Sequence, residues 1–210
     1  MGAGLLKRWV EGAGAGLTWI EYDDYAGRVF AGAPPDWLSQ AVRFANTLGQ
    51  ARKVVRTDVL TIDLTAPCRS RAPADGSPVE RVRAGLDDAA ARAFGSEVLD
   101  ALAHTFAGDV DLVLKVASPR DLLRDCGEVG EPSFDDLDEV ASALSGMLRA
   151  LSDKPVAALL VARGGDAPWS ADEVDAIDPL FSAAHHYGWL ATLAVAPSLL
   201  ATATAEIGRA

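Results

Sequence analysis

Short apolar stretches alternate along this chain with longer segments in which apolar residues recur at helical spacing. Short runs rich in β-branched and aromatic residues are typical of strands. Five runs fit this pattern: residues 17–22, "VLTIDL", "VDLVLKVASP", "PVAALLVA" and "WLATLAVAP". The last three runs are apolar on both faces, as strands covered by helices on both sides are. Because helix-length segments separate the strands, the pattern predicts a parallel sheet.

Capping residues mark where several of the predicted helices begin. Asp36 follows two prolines and is predicted to cap a helix that ends near Lys53. Ser133 begins a long helix that ends near residue 153, and Ser170 with Glu173 forms a capping box. Further helical patterns occupy residues 5–11, 79–94 and 96–106. The segment 66–78 carries three prolines and is predicted to be a loop.

These elements predict a single α/β domain over residues 1–210 with about five parallel strands. Two architectures fit this order: a truncated TIM-like β/α barrel, or an open, doubly wound α/β sandwich. Five strands do not close a barrel, and open sheet edges must be paired or covered. We therefore expect a homo-oligomer, or a partner subunit that supplies the missing half.

Composition narrows the classes of partner. A formal net charge of −11 repels phosphate backbones, so no nucleic-acid partner is predicted. No apolar run is long enough to span a bilayer, so no membrane partner is predicted. Two cysteines in separate segments indicate free thiols in a reducing cytoplasm. Phosphate-loop, dinucleotide and metal-ligand motifs are missing from the sequence, so we predict neither a cofactor nor a metal.

Charged residues follow or end four of the predicted strands. In parallel α/β folds the ligand lies at the carboxyl ends of the strands, which is where Glu21, Asp63, Lys115 and Arg163 stand in the sequence. If their faces converge, they form a mixed-charge cluster. Asp63 is then a candidate general acid or base, and Lys115 and Arg163 are candidates for binding a carboxylate. Structural ion pairs within the sheet are the alternative interpretation.

The loop after "VLTIDL" contributes two further candidates. Arg69 and Arg71 lie close to Asp63 in sequence and are expected to grip a carboxylate-bearing substrate, with solvated loop charges as the alternative. Cys68 stands beside Arg69, and a neighbouring cation can lower the pKa of a thiol.

Several segments resemble the uroporphyrinogen decarboxylase family. "VLTIDLTAP" is similar to the strand of that family that ends in an aspartate shortly before a proline. "GDVDLVLKVASPRDLL" and "PVAALLVARGG" resemble its next two strands, and "YAGR" at residues 25–28 resembles its amino-terminal Gln-Ala-Gly-Arg. The resemblance implies a (β/α)8-barrel ancestry. It places Asp63 at the catalytic aspartate and Arg28 at an arginine that binds substrate carboxylates.

Departures from the family pattern bear on activity. Residues 17–196 match only about the first five barrel strands, and the family's late histidine has no counterpart. Residues 122–127 contain no tyrosine where the family has one in its active site, and Arg163-Gly164-Gly165 stands where an acidic residue and a serine are usual. The His-x-Cys zinc pair of the related cobalamin-independent methionine synthases and corrinoid methyltransferases is also missing. Tetrapyrrole decarboxylation is therefore not expected.

Two functions remain open at this point. The first is a lyase or decarboxylase that acts on a small carboxylate-bearing molecule. In this first function Asp63 acts as the general acid or base. The substrate is bound by Arg28, Arg69, Arg71, Lys115 and Arg163. The second is a non-catalytic binding protein or partner subunit that has lost the family's catalytic residues.

Overall fold

Helices and strands alternate through the part of the chain that the structure, a computed structural model, describes: residues 4–13, 16–21, 23–30, 40–165 and 168–195. In chain order its elements are α1 (Leu5–Val10), α2 (Asp23–Phe30), α3 (Ala41–Val54), β1 (Val59–Asp63), α4 (Thr65–Arg69), α5 (Pro78–Asp87), α6 (Ala89–Phe106), β2 (Asp111–Ala117), α7 (Pro119–Asp125), α8 (Phe134–Arg149), β3 (Val156–Ala162), α9 (Ala171–His186) and β4 (Leu190–Leu193). None of these helices combines the length and the apolar composition needed to cross a membrane.

The four strands form one parallel sheet in the order β1-β2-β3-β4. Each strand after β1 therefore pairs with the strand that precedes it in the chain, and the described sheet contains no reversal of strand order. The register places Asp63 beside Lys115 at the carboxyl ends of β1 and β2. The predicted parallel α/β fold is confirmed.

One face of the sheet carries the large hydrophobic core. Alternate strand residues such as Ile62, Leu114 and Leu159 point to this face and pack against helices. Buried residues of α3, α6, α8 and α9 belong to the same cluster, for example Leu48, Leu99, Leu144 and Ile177. The helices that connect consecutive strands therefore cover the same face.

The opposite face carries a much smaller cluster. Its buried members are Val59, Val113, Ala158 and Leu160 from the sheet and Leu6 from α1. Leu17 and Trp19 pack against it and are themselves partly buried. We call this the open face of the sheet, because α1 and residues 16–21 are the described segments that pack on it.

The first predicted strand is largely absent. Among residues 16–21, only Trp19 makes a bridge, parallel to Val59. The indole Nε1 of Trp19 donates to Thr61 Oγ1 at 2.8 Å, and the Thr18 amide donates to Asp58 at 2.9 Å. The Asp58 amide also donates to the Thr18 carbonyl at 2.8 Å, so side-chain contacts and isolated backbone bonds hold this segment where a longer ladder was expected.

Helix boundaries follow the capping chemistry. Ser133 and Ser170 both cap their helices through complete capping boxes, as predicted. The break predicted at Gly95 is wrong, because Asp88 ends α5 and caps α6 by accepting from the Ala91 amide at 2.8 Å. The long helix α8 ends at Arg149, earlier than predicted. The predicted cap at Asp36 lies outside the described residues.

Candidate functional site

Four of the predicted site residues line one cleft at the carboxyl ends of the strands. Asp63, Arg69, Lys115 and Arg163 all border this cavity of about 520 Å³. Its other charged lining residues in the described part of the chain are Arg124, Asp121 and Asp125. We call it the strand-end cleft. Among the described residues it gathers four cationic side chains against three carboxylates, in a protein whose formal net charge is −11.

Asp63 is held at the end of β1 by the helical turn that follows it. Its Oδ1 accepts hydrogen bonds from the Thr65 amide at 2.8 Å, the Thr65 hydroxyl at 2.7 Å and the Ala66 amide at 3.0 Å. These bonds satisfy the first amides of α4, which is why a helical turn forms within the predicted loop. Only Oδ2 keeps room for a further donor, and Arg69 Nη2 lies 3.2 Å from it.

Arg69 links β1 to the turn after β2. Its guanidinium lies 3.2 Å from Asp63 and 3.5 Å from Asp125. Asp63 and Arg69 are each about one-third exposed or less, so the pair is accessible from the cleft. The prediction that Arg69 lies near Asp63 is thereby confirmed.

Lys115 lies beside Asp63 on the open side of the sheet but pairs with a different carboxylate. Its Nζ donates to Glu21 Oε2 at 2.8 Å. The side chain of Glu21 is half exposed, so water can compete for this pair. Lys115 is thus a cation that an incoming anion can reach.

Arg163 is positioned by a buried carboxylate. Alternation along β3 places it with Val161, toward the helices, so its face differs from that of Asp63 and Lys115. Its Nη1 lies 3.1 Å from Glu173, whose side chain is only 2% exposed. The same carboxylate receives the Ser170 amide at 2.9 Å and lies 3.7 Å from Arg120. Arg163 therefore borders the cleft as a fixed cation.

The structure does not bring Arg71 or Arg28 to the strand-end cleft. Arg71 lies 3.5 Å from Asp88, at the junction between α5 and α6. Arg28 is exposed on α2 and borders neither the strand-end cleft nor the pocket described below. The mixed-charge cluster predicted from the strand ends thus forms in part, with Glu21 joined to it through Lys115.

Cys68 does not have the activated thiol that its neighbour Arg69 suggested. The residue is buried, and its Sγ donates to the Leu64 carbonyl at 3.4 Å. Burial raises the pKa of the Cys68 thiol from the ordinary 9.0 to about 11, and the nearby cations Arg92 and Arg69 offset this only in part. The expectation of a lowered pKa is wrong.

A second cavity lies on the other side of Asp63, between β1 and the helices. It has a volume of about 370 Å³ and four large apolar wall residues: Phe44, Ile62, Phe94 and Val98. We call it the apolar pocket. Asp63 and Lys115 border both cavities, and Glu21 and Asp23 add two further carboxylates to the pocket.

Sequence reasoning missed the residues that α7 and α9 contribute. Arg124 and Asp125 end α7, which follows β2 directly and brings them to the cleft. Pro119 could have indicated this placement, because a proline is favoured in the first turn of a helix and so marks that a helix begins directly after β2. Glu173 was recognised only as a cap, because its ion pairs depend on how α9 packs.

Comparison with known proteins returned no match to a family model, to a curated protein or to a solved structure. The residues and the geometry of the two cavities therefore carry the functional argument.

Proposed function

We propose that this chain binds a small carboxylate-bearing molecule in the strand-end cleft, on a domain related to part of a β/α barrel. The observation that carries the proposal is the charge of the cleft. Arg69, Lys115, Arg124 and Arg163 converge there from four different elements of an otherwise acidic protein. Guanidinium groups match the planar geometry of a carboxylate and bind it through paired hydrogen bonds.

The strand order supports the barrel part of the proposal. Consecutive strands are neighbours and their connecting helices share one face, as in a segment of a β/α barrel. The ligand sites of such barrels lie at the carboxyl ends of the strands, where the cleft is. The resemblance of the β1 and β2 segments to the uroporphyrinogen decarboxylase family points the same way.

Lyase or decarboxylase chemistry is the reaction that such a site suits best. In a decarboxylation the carbon–carbon bond to the departing CO2 breaks, and its electron pair stays on the ligand carbon until a proton arrives. Lys115 and Arg163 can stabilise the negative charge, and Asp63 Oδ2 can take a proton from water and pass it to that carbon. The ligand's remaining carboxylate would be held by Arg69.

A non-catalytic role is the second candidate, and the hydrogen bonds of Asp63 favour it. Four donors already engage its two oxygens, an arrangement that suits an anchor for α4 and Arg69. Asp63→Asn separates the two roles. Loss of turnover with unchanged ligand affinity supports proton handling by Asp63, whereas equal binding and equal turnover would eliminate it.

Binding itself is tested by titrating the protein with malonate in a calorimeter. We expect Lys115→Met and Arg69→Ala each to weaken malonate binding about tenfold or more, since each removes a charge-assisted hydrogen bond. Arg71→Ala is the matched control, because Arg71 pairs with Asp88 away from the cleft. Equal affinities in all three variants would contradict the proposal.

The proposed barrel relationship also implies association. β4 pairs only with β3 among the described residues, so its other edge offers unpaired backbone groups within that part of the chain. We expect sedimentation velocity to show a concentration-dependent oligomer, or a complex with a partner subunit in material purified from the source. A folded monomer at every concentration, without a partner, would count against this.

A further inference from the structure

The apolar pocket differs from the strand-end cleft in the balance of its charges. Among the described residues its lining carries three carboxylates, those of Glu21, Asp23 and Asp63, and one ammonium, that of Lys115. The described lining of the strand-end cleft has the opposite balance, with four cations and three carboxylates. Two neighbouring cavities that share Asp63 and Lys115 therefore suit ligand groups of opposite charge.

We propose that the apolar pocket binds a protonated amine carried on a compact apolar body. Phe44, Ile62 and Val98 are almost completely buried members of the main core, so the pocket reaches from the charged rim into the hydrophobic interior. Phe94 on α6 completes the apolar wall. Apolar walls with a few polar groups at one end are the usual construction of a small-molecule site.

The volume of the apolar pocket limits the size of the apolar part of the ligand. Small-molecule pockets span about 300–1,000 Å³, and the 370 Å³ of this pocket lies near the lower limit. One aromatic ring with a short alkyl arm, or a branched alkyl chain, fits within a space of this size.

The carboxylates supply what an ammonium needs when it leaves water. An unpaired charge is costly to bury, so the entering cation requires an acceptor of opposite charge at the rim. Glu21 Oε2 accepts from Lys115 Nζ at 2.8 Å, and the two oxygens of a carboxylate can accept from further donors. Asp63 Oδ2 accepts one hydrogen bond, from Arg69. Both carboxylates have acceptor capacity left for an ammonium.

This proposal goes beyond the carboxylate site and does not depend on it. Malonate binding in the strand-end cleft and amine binding in the apolar pocket involve different charges, and each can fail while the other holds. Binding at the two sites is measured separately, with malonate for the strand-end cleft and an amine for the apolar pocket.

The test compares three probes with the same body: 2-phenylethylamine, 2-phenylethanol and 3-phenylpropionate. Titrations followed by calorimetry are expected to show saturable binding of the amine, with at least about tenfold weaker binding of the neutral alcohol, because a charge-assisted hydrogen bond is lost. Comparable affinity for the alcohol and the amine would overturn the proposal. Tighter binding of the propionate than of the amine would overturn it as well.

Two variants locate the amine. Ala66→Leu narrows the pocket, and we expect it to weaken amine binding; Ala90→Leu, the same change at an exposed position of α6, is its matched control. Glu21→Gln changes a half-exposed side chain and is expected to leave the fold intact while weakening amine binding about tenfold. Unchanged amine affinity in Glu21→Gln, or equal amine affinity in the two leucine variants, would place the amine elsewhere and refute the assignment.

Discussion

The two faces of the sheet differ in what they contribute. The helix face packs against a continuous core that draws residues from nearly every described helix, whereas the open face has a small cluster capped by α1 and residues 16–21. The same strands supply both faces, and alternate residues assign each side chain to one or the other. The charged residues of β1 and β2, Asp63 and Lys115, belong to the open side. The helix face therefore maintains the fold and supplies the walls of the apolar pocket, whereas the open face and the strand ends carry the charged groups Asp63 and Lys115.

The sharpest test uses two adjacent leucines of β3. Leu159 is fully buried on the helix face, and Leu160 lies on the open face with 7% exposure. We expect Leu159→Ala to lower the free energy of unfolding by about 3–4 kcal/mol and Leu160→Ala by about 2 kcal/mol, since the smaller cluster relaxes more readily around a cavity. Urea denaturation measures both. Equal losses would mean that the open face is as tightly packed as the helix face.

The second test asks whether the tight packing of the helix face extends to the strand-end cleft. A Cβ at Gly85 on α5 would lie 2.6 Å from the Cys68 carbonyl oxygen, in the turn that carries Arg69. Gly85→Ala is expected to cost about 2 kcal/mol through overpacking and to weaken malonate binding. Gly146→Ala on α8 is the control: a Cβ there meets nothing within 4 Å, and the change should be neutral or stabilise by about 0.5–1 kcal/mol. A neutral Gly85→Ala would show that α4 and α5 can separate without cost.

The third test uses the buried thiol of Cys68. Its folded pKa of about 11 lies above the ordinary 9.0, so burial favours the protonated thiol in the folded state. Below pH 9 both states keep the proton and the contribution is fully present; as the pH rises from 9 to 11 the unfolded chain releases its proton first, and stability falls. We expect this loss to be on the order of 2 kcal/mol. The difference in unfolding free energy between wild type and Cys68→Ala should change across this pH range, and a constant difference would contradict the assignment.

The smallest expected effect belongs to the ion pair on the open face. Lys115 and Glu21 are partly exposed, so their coupling in a double-mutant cycle should be about 0.5 kcal/mol and should decrease at high salt. Replacing Glu21 and Lys115 singly and together, by Gln and Met, gives this value. A coupling above about 2 kcal/mol would indicate that water is excluded from the open face after all.

The elements that the sequence predicted well are those with strong local signals. β2 and β3 combine apolar runs with a following proline or glycine pair, and the capping boxes at Ser133 and Ser170 specify where helices begin. The parallel α/β class follows from their alternation alone. The proximity of Asp63 and Lys115 was also predictable, because strand-end residues of neighbouring parallel strands must meet.

What the sequence did not predict depends on tertiary contacts. The strand expected over residues 17–22 forms only one bridge within the described segment, where the Trp19 indole donates to the Thr61 hydroxyl and the Thr18 amide donates to the Asp58 carboxylate. Gly95 does not interrupt α6, which continues through it. It lies where the helix packs close to the end of β1, since a Cβ at Gly95 would lie 3.4 Å from the Leu64 side chain. The pairing of Arg163 with Glu173 depends on how α9 packs over β3, which no local pattern encodes.

The consecutive order of the strands also has a consequence for how the chain folds. Each strand finds its partner among residues that the ribosome has already made, and no described strand waits for a later one to be inserted between it and its neighbour. Parallel pairing across helical connections is slow, and growth from β1 toward β4 lets it proceed in the direction of synthesis. Residues 16–21 and α1 can then settle on the open face of the first strand pair while the chain is still being elongated.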